Sequence, residues 1–571
     1  MPFRLRRHRA INRILTPRLI GNFLAGGVLA ISLCQILKPA VAADRIYASY
    51  AVLERSISIA ALEEYAKNGK IEEDLAVYAR YVTPDDLEEL RKILRARADL
   101  DPVVISQFLY TRQGEVLLKR LGEVIQSGSG NSGFYGLRAA LILAAADDEG
   151  LTLLNVLRQF PTSEIRVNLQ RALQMAQELQ GWVNQTKRAI DGVERFATAD
   201  AREKEDDAIE FAEDLQKPGN QRWQKRSLQF SDRGRKILNI SKDRKLDTDI
   251  YLPQRNDGQP APTLVISHSL GSTRKTFAYL AEHLASHGFA VVVPQHPGSD
   301  ARQLEALMTG VAREVAKPEE FVDRPLDITF ILDELESLER NNPEWKNTLD
   351  LQRVGIIGQS FGGYTALALA GAPINFDRLH RDCRQEEESW NVSLFLQCRA
   401  QDLKRRDEVL RDDRIQGAIA INPLTSSVFG QESLSQIQIP VAIVSGGADT
   451  VAPALVEQIQ PFTWLSAPDK YLLLMKSGTH FSTLGQEEGV VSFPPEAIGP
   501  NPALAQRYMK AFSLAFAETY IADRSAYKPY LSSSYIRSLS QESIPLSLIR
   551  SLGETQLAEM LGRRSPLLRN Q

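Results

Sequence analysis

The feature that most restricts the fold of this chain is the ten-residue segment VGIIGQSFGG at positions 354–363. Its apolar start predicts a β-strand, and residues 364–370 favour a helix. Between them, Gly358, Ser360 and Gly362 form a G-x-S-x-G motif, whose glycines permit a sharp turn from strand to helix. The motif alone is weak evidence in a chain with 35 glycines. Its position between a strand and a helix predicts that Ser360 is a nucleophile held in a strained turn.

A serine nucleophile needs a base to remove its proton and a carboxylate to orient that base. Two histidines, His380 and His480, follow Ser360 in the sequence. After a turn of this kind, the expected order along the chain is serine, acid and then histidine. His380 follows too soon, in a charged segment, and is predicted to be a surface residue. His480 follows the predicted strand 471–475 and is therefore the predicted base.

The acid is expected in the loop that follows the strand immediately before 471–475. Residues 441–445 form an apolar strand candidate, and Asp449 is the only carboxylate in the loop 446–453. A loop aspartate taken alone more often makes a turn or caps a helix. Position, chain order and spacing together favour Asp449 as the orienting acid.

Acyl transfer also needs backbone amides that bind the oxyanion of the tetrahedral intermediate. One predicted donor is the amide of Phe361, directly after the nucleophile. The other is the amide of Leu270, in the loop after the predicted strand 263–267. His268 precedes Ser360 and is interpreted as a structural loop residue. The loop 295–300 is expected at the rim of the site, where it either shapes the pocket or turns the chain.

The region 223–525 alternates strand-like and helix-like segments, which predicts an α/β fold with a mostly parallel sheet flanked by helices. Its strand candidates share apolar or β-branched composition and are 246–252, 263–267, 290–294, 353–357, 417–421, 441–445 and 471–475.

The remaining regions are expected to differ from this pattern. Residues 43–200 carry apolar residues at helical spacing and are predicted to form an all-α domain, with a helix capped by Thr83 and Asp86. The charged stretch 201–222 is predicted to be a linker, and 526–571 a C-terminal tail that packs on a domain, contacts membrane or stays mobile.

Residues 1–42 have the features of a secretory signal. Six arginines precede an apolar segment at 19–37, and Ala40 and Ala42 form an A-x-A exit, so cleavage is expected after Ala42. The alternative is an uncleaved membrane anchor, because the apolar segment approaches spanning length. Lipidation of Cys34 and a twin-arginine signal are weaker alternatives.

Composition excludes several functions. A net charge of −3 offers no basic surface for nucleic acid, and no metal-ligand spacing occurs, so no metal and no cofactor are expected. Beyond the signal, two cysteines remain, Cys383 and Cys398. In an exported chain we expect them to form a disulfide; two buried thiols are the alternative.

These residues resemble a known superfamily. The segments 267–271, 295–300 and 358–363 resemble the platelet-activating-factor acetylhydrolase and dienelactone hydrolase branch of the α/β-hydrolases. The segments 446–453 and 480–481 resemble the acid and base loops of bacterial cutinase-like polyester hydrolases. The resemblance covers about 223–522. Ser269 stands where the acetylhydrolases usually have glycine, and this departure leaves the shape of the oxyanion loop open.

The resemblance implies an α/β-hydrolase that forms an acyl-enzyme on Ser360 and hydrolyses it with water. The helical half resembles a domain that precedes such hydrolases in cyanobacterial proteins, which implies a periplasmic, thylakoid-lumenal or extracellular location. The expected substrate is a small-molecule or lipid ester, with short acyl chains favoured. Peripheral membrane contact and a protein partner of the helical domain stay open.

Two alternatives to this function remain. The hydrolase half is either a lipase or cutinase-like polyesterase, or an inactive scaffold that acts through the helical domain. The segment 422–438 is interpreted as an acyl pocket or an ordinary packed loop, and the insertion with Cys383 and Cys398 as a lid.

Overall fold

The protein is described here by a computed structural model. It describes residues 43–50, 53–98, 100–203, 211–237, 240–241, 243–255, 258–404, 408–485 and 495–562. The predicted signal, its cleavage site and Cys34 lie outside these residues. Contacts divide these described residues into two compact units, one of residues up to 102 with 118–171, the other of 103–117 with 172 onward.

The first unit contains helices and a mixed sheet. Its strands are β1 (Arg45–Tyr50), β2 (Leu53–Ser58), β3 (Arg97–Ala98), β4 (Ile125–Ser127), β5 (Leu151–Thr152) and β6 (Glu164–Asn168). Four of them form a sheet in the order β2-β1-β6-β4, and β3 pairs with β5. The prediction of an all-α domain is therefore wrong: this half is helical with a four-stranded sheet.

The missed strands are short, which explains the error. The strands of this sheet have three to six residues, and three of them, β2, β4 and β6, directly adjoin a helix. The helical spacing of these neighbours hides the alternation of a strand. The predicted helix start is present, because Thr83 and Asp86 form a capping box at the first turn of the helix Pro84–Arg95.

The second unit is built on a nine-stranded sheet. Its strands are β7 (Trp223–Asp232), β8 (Lys236–Ile237), β9 (Ile240–Ser241), β10 (Arg244–Pro253), β11 (Ala261–Ser267), β12 (Ala290–Pro294), β13 (Leu349–Gln359), β14 (Ile415–Ile421), β15 (Val441–Gly446), β16 (Lys470–Met475) and β17 (Leu546–Ile549). The sheet order is β17-β16-β15-β14-β13-β11-β12-β10-β7, and β8 pairs with β9 separately. Six adjacent strands are parallel, namely β12, β11, β13, β14, β15 and β16, whereas β10, β7 and β17 each pair antiparallel with their neighbours.

Both faces of this sheet are buried. Neighbouring residues of one strand belong to opposite cores: Ile356 packs in one apolar cluster and Ile357 in the other. Strands covered on both faces need continuous apolar sequence, which is why the parallel strands could be located from the sequence. The remaining predicted strand, 246–252, is more polar and lies in the antiparallel strand β10.

The helices of the described chain follow in order. They are α1 (Ile59–Asn68), α2 (Glu73–Ala79), α3 (Pro84–Arg95), α4 (Pro102–Leu109), α5 (Arg112–Val124), α6 (Phe134–Ala146), α7 (Leu153–Arg158), α8 (Leu169–Glu203), α9 (Ala278–Ser286), α10 (Ala301–Met308), α11 (Glu320–Asn341), α12 (Phe361–Leu369), α13 (Phe376–Asp382), α14 (Leu394–Gln397), α15 (Gly430–Leu434), α16 (Gln460–Trp464), α17 (Pro495–Ile498), α18 (Pro502–Tyr520), α19 (Ser533–Leu539) and α20 (Glu554–Met560). Short 3-10 helices cover Cys383–Glu388, Cys398–Asp402 and Ser525–Leu531, and a π-helical turn covers Leu455–Ile459.

The predicted linker and tail are both part of the second unit where they are described. Leu215 is fully buried, and the Phe211 ring packs at 4.8 Å from that of Tyr535. In the predicted tail, β17 pairs with β16 as an edge strand. Residues 172–203 of α8 also belong to this unit, so the boundary near residue 200 is displaced. The few apolar residues within these charged segments are the ones that pack against the second unit.

Within the described ranges, no helix combines the length and the apolar composition that a bilayer crossing requires.

Candidate active site

Ser360 occupies the turn between β13 and α12. Its φ of 57° and ψ of −116° are rarely adopted by a residue with a side chain, which identifies a strained turn. A Cβ atom on Gly358 would lie 2.0 Å from the carbonyl oxygen of Gly362. The glycine at 358 therefore lets the end of the strand and the start of the helix touch, and Ser360 is held at the carboxyl end of β13.

Ser360, His480 and Asp449 form a continuous hydrogen-bonded row. His480 Nε2 lies 2.9 Å from Ser360 Oγ, and His480 Nδ1 lies 2.7 Å from Asp449 Oδ2. A carboxylate only accepts, so Nδ1 carries the proton and Nε2 is left to accept the serine hydroxyl. The second carboxylate oxygen accepts the amides of Val451 and Ala452 at 2.8 and 2.7 Å, which fixes the carboxylate. This arrangement can transfer a proton from the serine to the imidazole.

The sheet explains why three distant loops meet. β13, β15 and β16 run parallel, and the loops that carry Ser360, Asp449 and His480 all leave their carboxyl ends. All three side chains are buried, with 5% of Ser360 and 3% of His480 exposed.

Asn422, which the sequence analysis did not single out, joins the acid and base loops. Its Oδ1 accepts the amide of Gly446 at 2.8 Å, and its Nδ2 donates to the carbonyl of Thr479 at 3.2 Å. Its φ is 44°, an uncommon value for a residue other than glycine. The side chain of Gln359 also donates to the carbonyl of His480, at 2.9 Å. Both side chains fix the backbone that carries the predicted base.

The two predicted oxyanion amides lie on adjoining segments. Ser267 pairs with Gly358 in the sheet, and a Cβ on Gly362 would lie 2.1 Å from the carbonyl oxygen of Ser267. The loop that carries Leu270 thus borders the start of α12, which carries Phe361. Among the described residues, neither the Leu270 nor the Phe361 amide donates to a hydrogen bond. Both amides can therefore donate to a bound oxygen.

Beside this loop lies a buried network of charged groups that sequence reasoning missed. Arg324 is fully buried, and its guanidinium donates to the carbonyl of His268 at 2.6 Å and to Ser299 Oγ at 2.8 Å. Asp327 accepts from His296 Nδ1 at 3.0 Å and from Arg244 at 2.7 Å. The apolar spacing of α11 gave no sign that these polar residues point inward. Buried charges of this kind need such partners.

The network sets the charges of its members. Burial alone would raise the pKa of Asp327, but the Arg244 charge and the His296 hydrogen bond hold it well below its usual range. Burial lowers the pKa of His296 to about 4, and burial with the Arg324 charge lowers the pKa of His268 well below its usual range. Both histidines are therefore neutral near pH 7.

His296 also contacts a second serine. Its Nε2 lies 3.0 Å from Ser267 Oγ, so Ser267, His296 and Asp327 repeat the atom order of the row at Ser360. All three of these side chains are fully buried. The loop 295–300 thus turns inward, and a substrate has no access to Ser267.

The insertion after α12 contains a disulfide and is anchored. Cys383 and Cys398 are joined, with their Cα atoms 5.6 Å apart. The buried carboxylate of Glu457 accepts hydrogen bonds from this insertion and from the loop after β14; the donors are Asn391, Ser393, Gln397, Thr425 and Ser426. A segment tied this way is a fixed part of the second unit in this structure.

The same insertion contains a group of possible metal ligands. Among the described residues, Cys383, Glu386 and Cys398 form a cluster within 4.8 Å. Because the two sulfurs are bonded to each other, they are not thiolate ligands. His380 is exposed on α13, as predicted for a surface residue, and is not part of the row at Ser360.

A mixed sheet flanked by helices, with a serine at a strand-to-helix turn, fits the α/β class of hydrolase folds. Two family models match the chain: "Alpha/beta hydrolase of unknown function (DUF1400)" over residues 42–168 and "Putative esterase" over residues 241–377. The first match covers the N-terminal unit rather than the nine-stranded sheet, and the second covers β10 to β13 with Ser360.

One curated relative is similar over a longer stretch. "Cutinase est1" of Thermobifida alba is 22% identical over 290 residues, which are 49% of this chain and 67% of that protein. The matches to an esterase model and to a cutinase support an ester hydrolase within the esterase and α/β-hydrolase superfamily. They do not single out the acetylhydrolase branch.

Proposed function

We propose that the protein is a serine hydrolase that cleaves carboxylic esters through an acyl-enzyme on Ser360. The observation that carries the proposal is the hydrogen-bonded row from Ser360 through His480 to Asp449. The imidazole has its accepting nitrogen toward the serine and its N–H toward the carboxylate, which is the arrangement that general-base catalysis needs.

In the proposed reaction, Ser360 Oγ attacks the ester carbonyl carbon while His480 Nε2 takes the hydroxyl proton. The resulting imidazolium is stabilised by Asp449, and the negative oxygen of the tetrahedral intermediate accepts from the amides of Leu270 and Phe361. The intermediate then expels the alcohol, which takes the proton from His480. An acyl ester on Ser360 remains.

Water completes the cycle. His480 removes a proton from water as the water oxygen attacks the acyl carbonyl, and the same two amides hold the second oxyanion. When this intermediate collapses, Ser360 takes back the proton and the carboxylic acid leaves. No step of this proposed reaction requires a cofactor.

A fluorophosphonate probe tests the role of Ser360. We expect wild type to be labelled on the peptide that contains Ser360 and Ser360→Ala to be unlabelled. Ser267→Ala is the matched contrast, because Ser267 also contacts a histidine but is fully buried; we expect it to be labelled on Ser360. Labelling of the Ser360→Ala protein, or none of wild type, would contradict the proposal.

We propose small-molecule or lipid esters with short acyl chains as substrates. The support is the limited exposure of the row, since only 5% of Ser360 is exposed. p-Nitrophenyl esters of increasing acyl length test this: kcat/KM should be highest for the shortest chains. Fastest turnover of long chains would instead indicate a lipase.

The similarity to a cutinase favours a second candidate, a polyester hydrolase. Release of soluble monomers from a polyester film by wild type, but not by Ser360→Ala, would favour it. A film left intact by a preparation that turns over p-nitrophenyl acetate would favour the small-ester function.

We further propose export from the cytoplasm. The support is the arginine-rich and then apolar start of the chain with its Ala40 and Ala42 exit, together with a disulfide of the kind that persists in oxidising compartments. Mass spectrometry of the protein from an extracytoplasmic fraction should give a new N-terminus after Ala42. A full-length chain found only with the cytoplasmic fraction would contradict export.

A further inference from the structure

The amide of Leu270 belongs to the same peptide unit as the carbonyl of Ser269. In a trans peptide the N–H and the C=O point in opposite directions. Whatever fixes the Ser269 carbonyl therefore also fixes the direction in which the Leu270 N–H points. The donors on the Ser269 carbonyl are thus relevant to oxyanion binding.

Three donors converge on the Ser269 carbonyl oxygen. His268 Nδ1 lies 2.7 Å away, Arg324 Nη2 lies 3.3 Å away, and the amide of Ser272 closes a turn at 3.3 Å. Gly271, inside that turn, has a φ of 70°, which glycine adopts easily. The imidazole makes the shortest of the three contacts and is the main constraint from a side chain.

The tautomer of His268 is fixed by its second nitrogen. His268 Nε2 accepts the backbone amide of His296 at 3.0 Å, so it carries no proton. The proton is therefore on Nδ1, where it is donated to the Ser269 carbonyl. The ring is fully buried, and its lowered pKa keeps it neutral in this form.

Arg324 connects the two segments that carry the proposed oxyanion amides. It donates to the carbonyls of His268 and Ser269, and its guanidinium lies 4.5 Å from the centre of the Phe361 ring. Burial lowers its pKa to about 10, so the group is cationic near pH 7. A positive charge on the carbonyl side of a peptide also strengthens its N–H as a donor.

We propose that His268 and Arg324 are positioning residues, which aim the Leu270 amide at the oxyanion of the ester reaction. The inference rests on the proposed function of the Ser360 site. His268 touches neither the substrate nor Ser360 in this scheme and acts through the Ser269–Leu270 peptide. Removing its Nδ1–H donor should weaken stabilisation of the transition state and leave binding of the ester ground state nearly unchanged.

Two substitutions of His268 separate its two hydrogen bonds. The amide of asparagine in His268→Asn can occupy the Nδ1 position and donate to the Ser269 carbonyl, but it does not reach His296. The longer glutamine in His268→Gln can accept the His296 amide through its oxygen, but it has no donor at the Nδ1 position. Each variant therefore loses one bond, and only the glutamine variant loses the one that aims the Leu270 amide.

The readouts are kcat and KM for p-nitrophenyl acetate and the Ki of a short-chain trifluoromethyl ketone, which forms an oxyanion on the serine. For His268→Gln we expect kcat to fall about 10- to 100-fold, somewhat less than for complete loss of an oxyanion donor. The Ki should rise by a similar factor while KM changes less than about threefold. His268→Asn should stay within about threefold of wild type in all three.

Equal loss in both variants, or a change mainly in KM, would overturn the inference and leave the proposed function in place. If His268→Gln does not fold, Arg324→Lys takes its place, because lysine keeps the charge and loses the fork that spans the His268 and Ser269 carbonyls. A folded Arg324→Lys protein with wild-type kcat and Ki would overturn the inference. A wild type that neither turns over the ester nor reacts with a fluorophosphonate would overturn the proposed function itself.

Discussion

The side chain of Asn422 holds Gly446, the last residue of β15 before the acid loop, by accepting its amide at 2.8 Å. The same side chain donates to the carbonyls of Thr479 and His480 on the base loop. Asn422 adopts a φ of 44°, so this contact is kept at some cost in backbone strain. A strained residue that joins two functional loops is expected to matter for activity more than for folding.

Asn422→Asp should lower kcat for p-nitrophenyl acetate at least about tenfold, because the new carboxylate still accepts from Gly446 but repels the two carbonyls it faces. The matched control is Asn347→Gly. Asn347 also has a positive φ, of 57°, but is exposed and lies just before β13, at the end of that strand opposite Ser360. The control should keep wild-type kcat, and equal losses in both variants would contradict the role given to Asn422.

Gly358→Ala should prevent formation of the turn at Ser360. Its Cβ would lie 2.0 Å from a backbone oxygen, which cannot move without displacing α12, so we expect a loss of stability of about 3 kcal/mol or more and loss of fluorophosphonate labelling. In Gly181→Ala, within α8, the new Cβ meets no atom within 4 Å, and the helix should gain about 0.5–1 kcal/mol. Urea unfolding of both variants measures the difference, and similar stabilities would contradict it.

Much of the second unit could be predicted from the sequence because its information is local. The buried parallel strands are continuous apolar runs, and the residues that form the turn at Ser360 are consecutive in the sequence. His480 and Asp449 follow from the order of loops along one sheet edge, and the structure places them within hydrogen-bonding distance.

What the sequence did not reveal depends on contacts between distant segments. Asn422 stands out only when the loops after β15 and β16 are both in place beside it. Arg324 lies on a helix that also buries Asp323 and Asp327, and its inward direction is set by the carbonyls it meets. The strands of the first unit are too short for an alternation to be distinguished from helical spacing.

Stability should fall as the pH drops from about 6.5 to about 4. Burial lowers the pKa of His296 from 6.5 to about 4, so within this window the unfolded chain binds a proton that the folded protein does not. The stabilising effect of the neutral ring is complete above the unfolded pKa and decreases on acidification. His268, with its lowered pKa, acts in the same direction.

Urea unfolding at several pH values tests this, with His296→Asn as the variant. Asparagine can still donate to Asp327 but does not titrate, so the slope of the unfolding free energy against pH should decrease by up to about 1.4 kcal/mol per pH unit. His380→Asn removes an exposed histidine and should keep the wild-type slope. An unchanged slope in His296→Asn would contradict the assignment of the acid sensitivity to this ring.

The disulfide should contribute to stability without being needed for catalysis. Cys383 and Cys398 are separated by 15 positions, and closing a loop of that length stabilises the folded state by about 3 kcal/mol in the chain-entropy model. The insertion is also held by hydrogen bonds to Glu457, so the loop should keep its place when the sulfurs are replaced.

The double variant Cys383→Ala with Cys398→Ala is therefore expected to unfold at a lower temperature than wild type and to keep kcat for p-nitrophenyl acetate within about threefold. Dithiothreitol should lower the melting temperature of wild type toward that of the double variant and leave the double variant unchanged. A large loss of kcat in a folded double variant would show instead that the disulfide helps to shape the site.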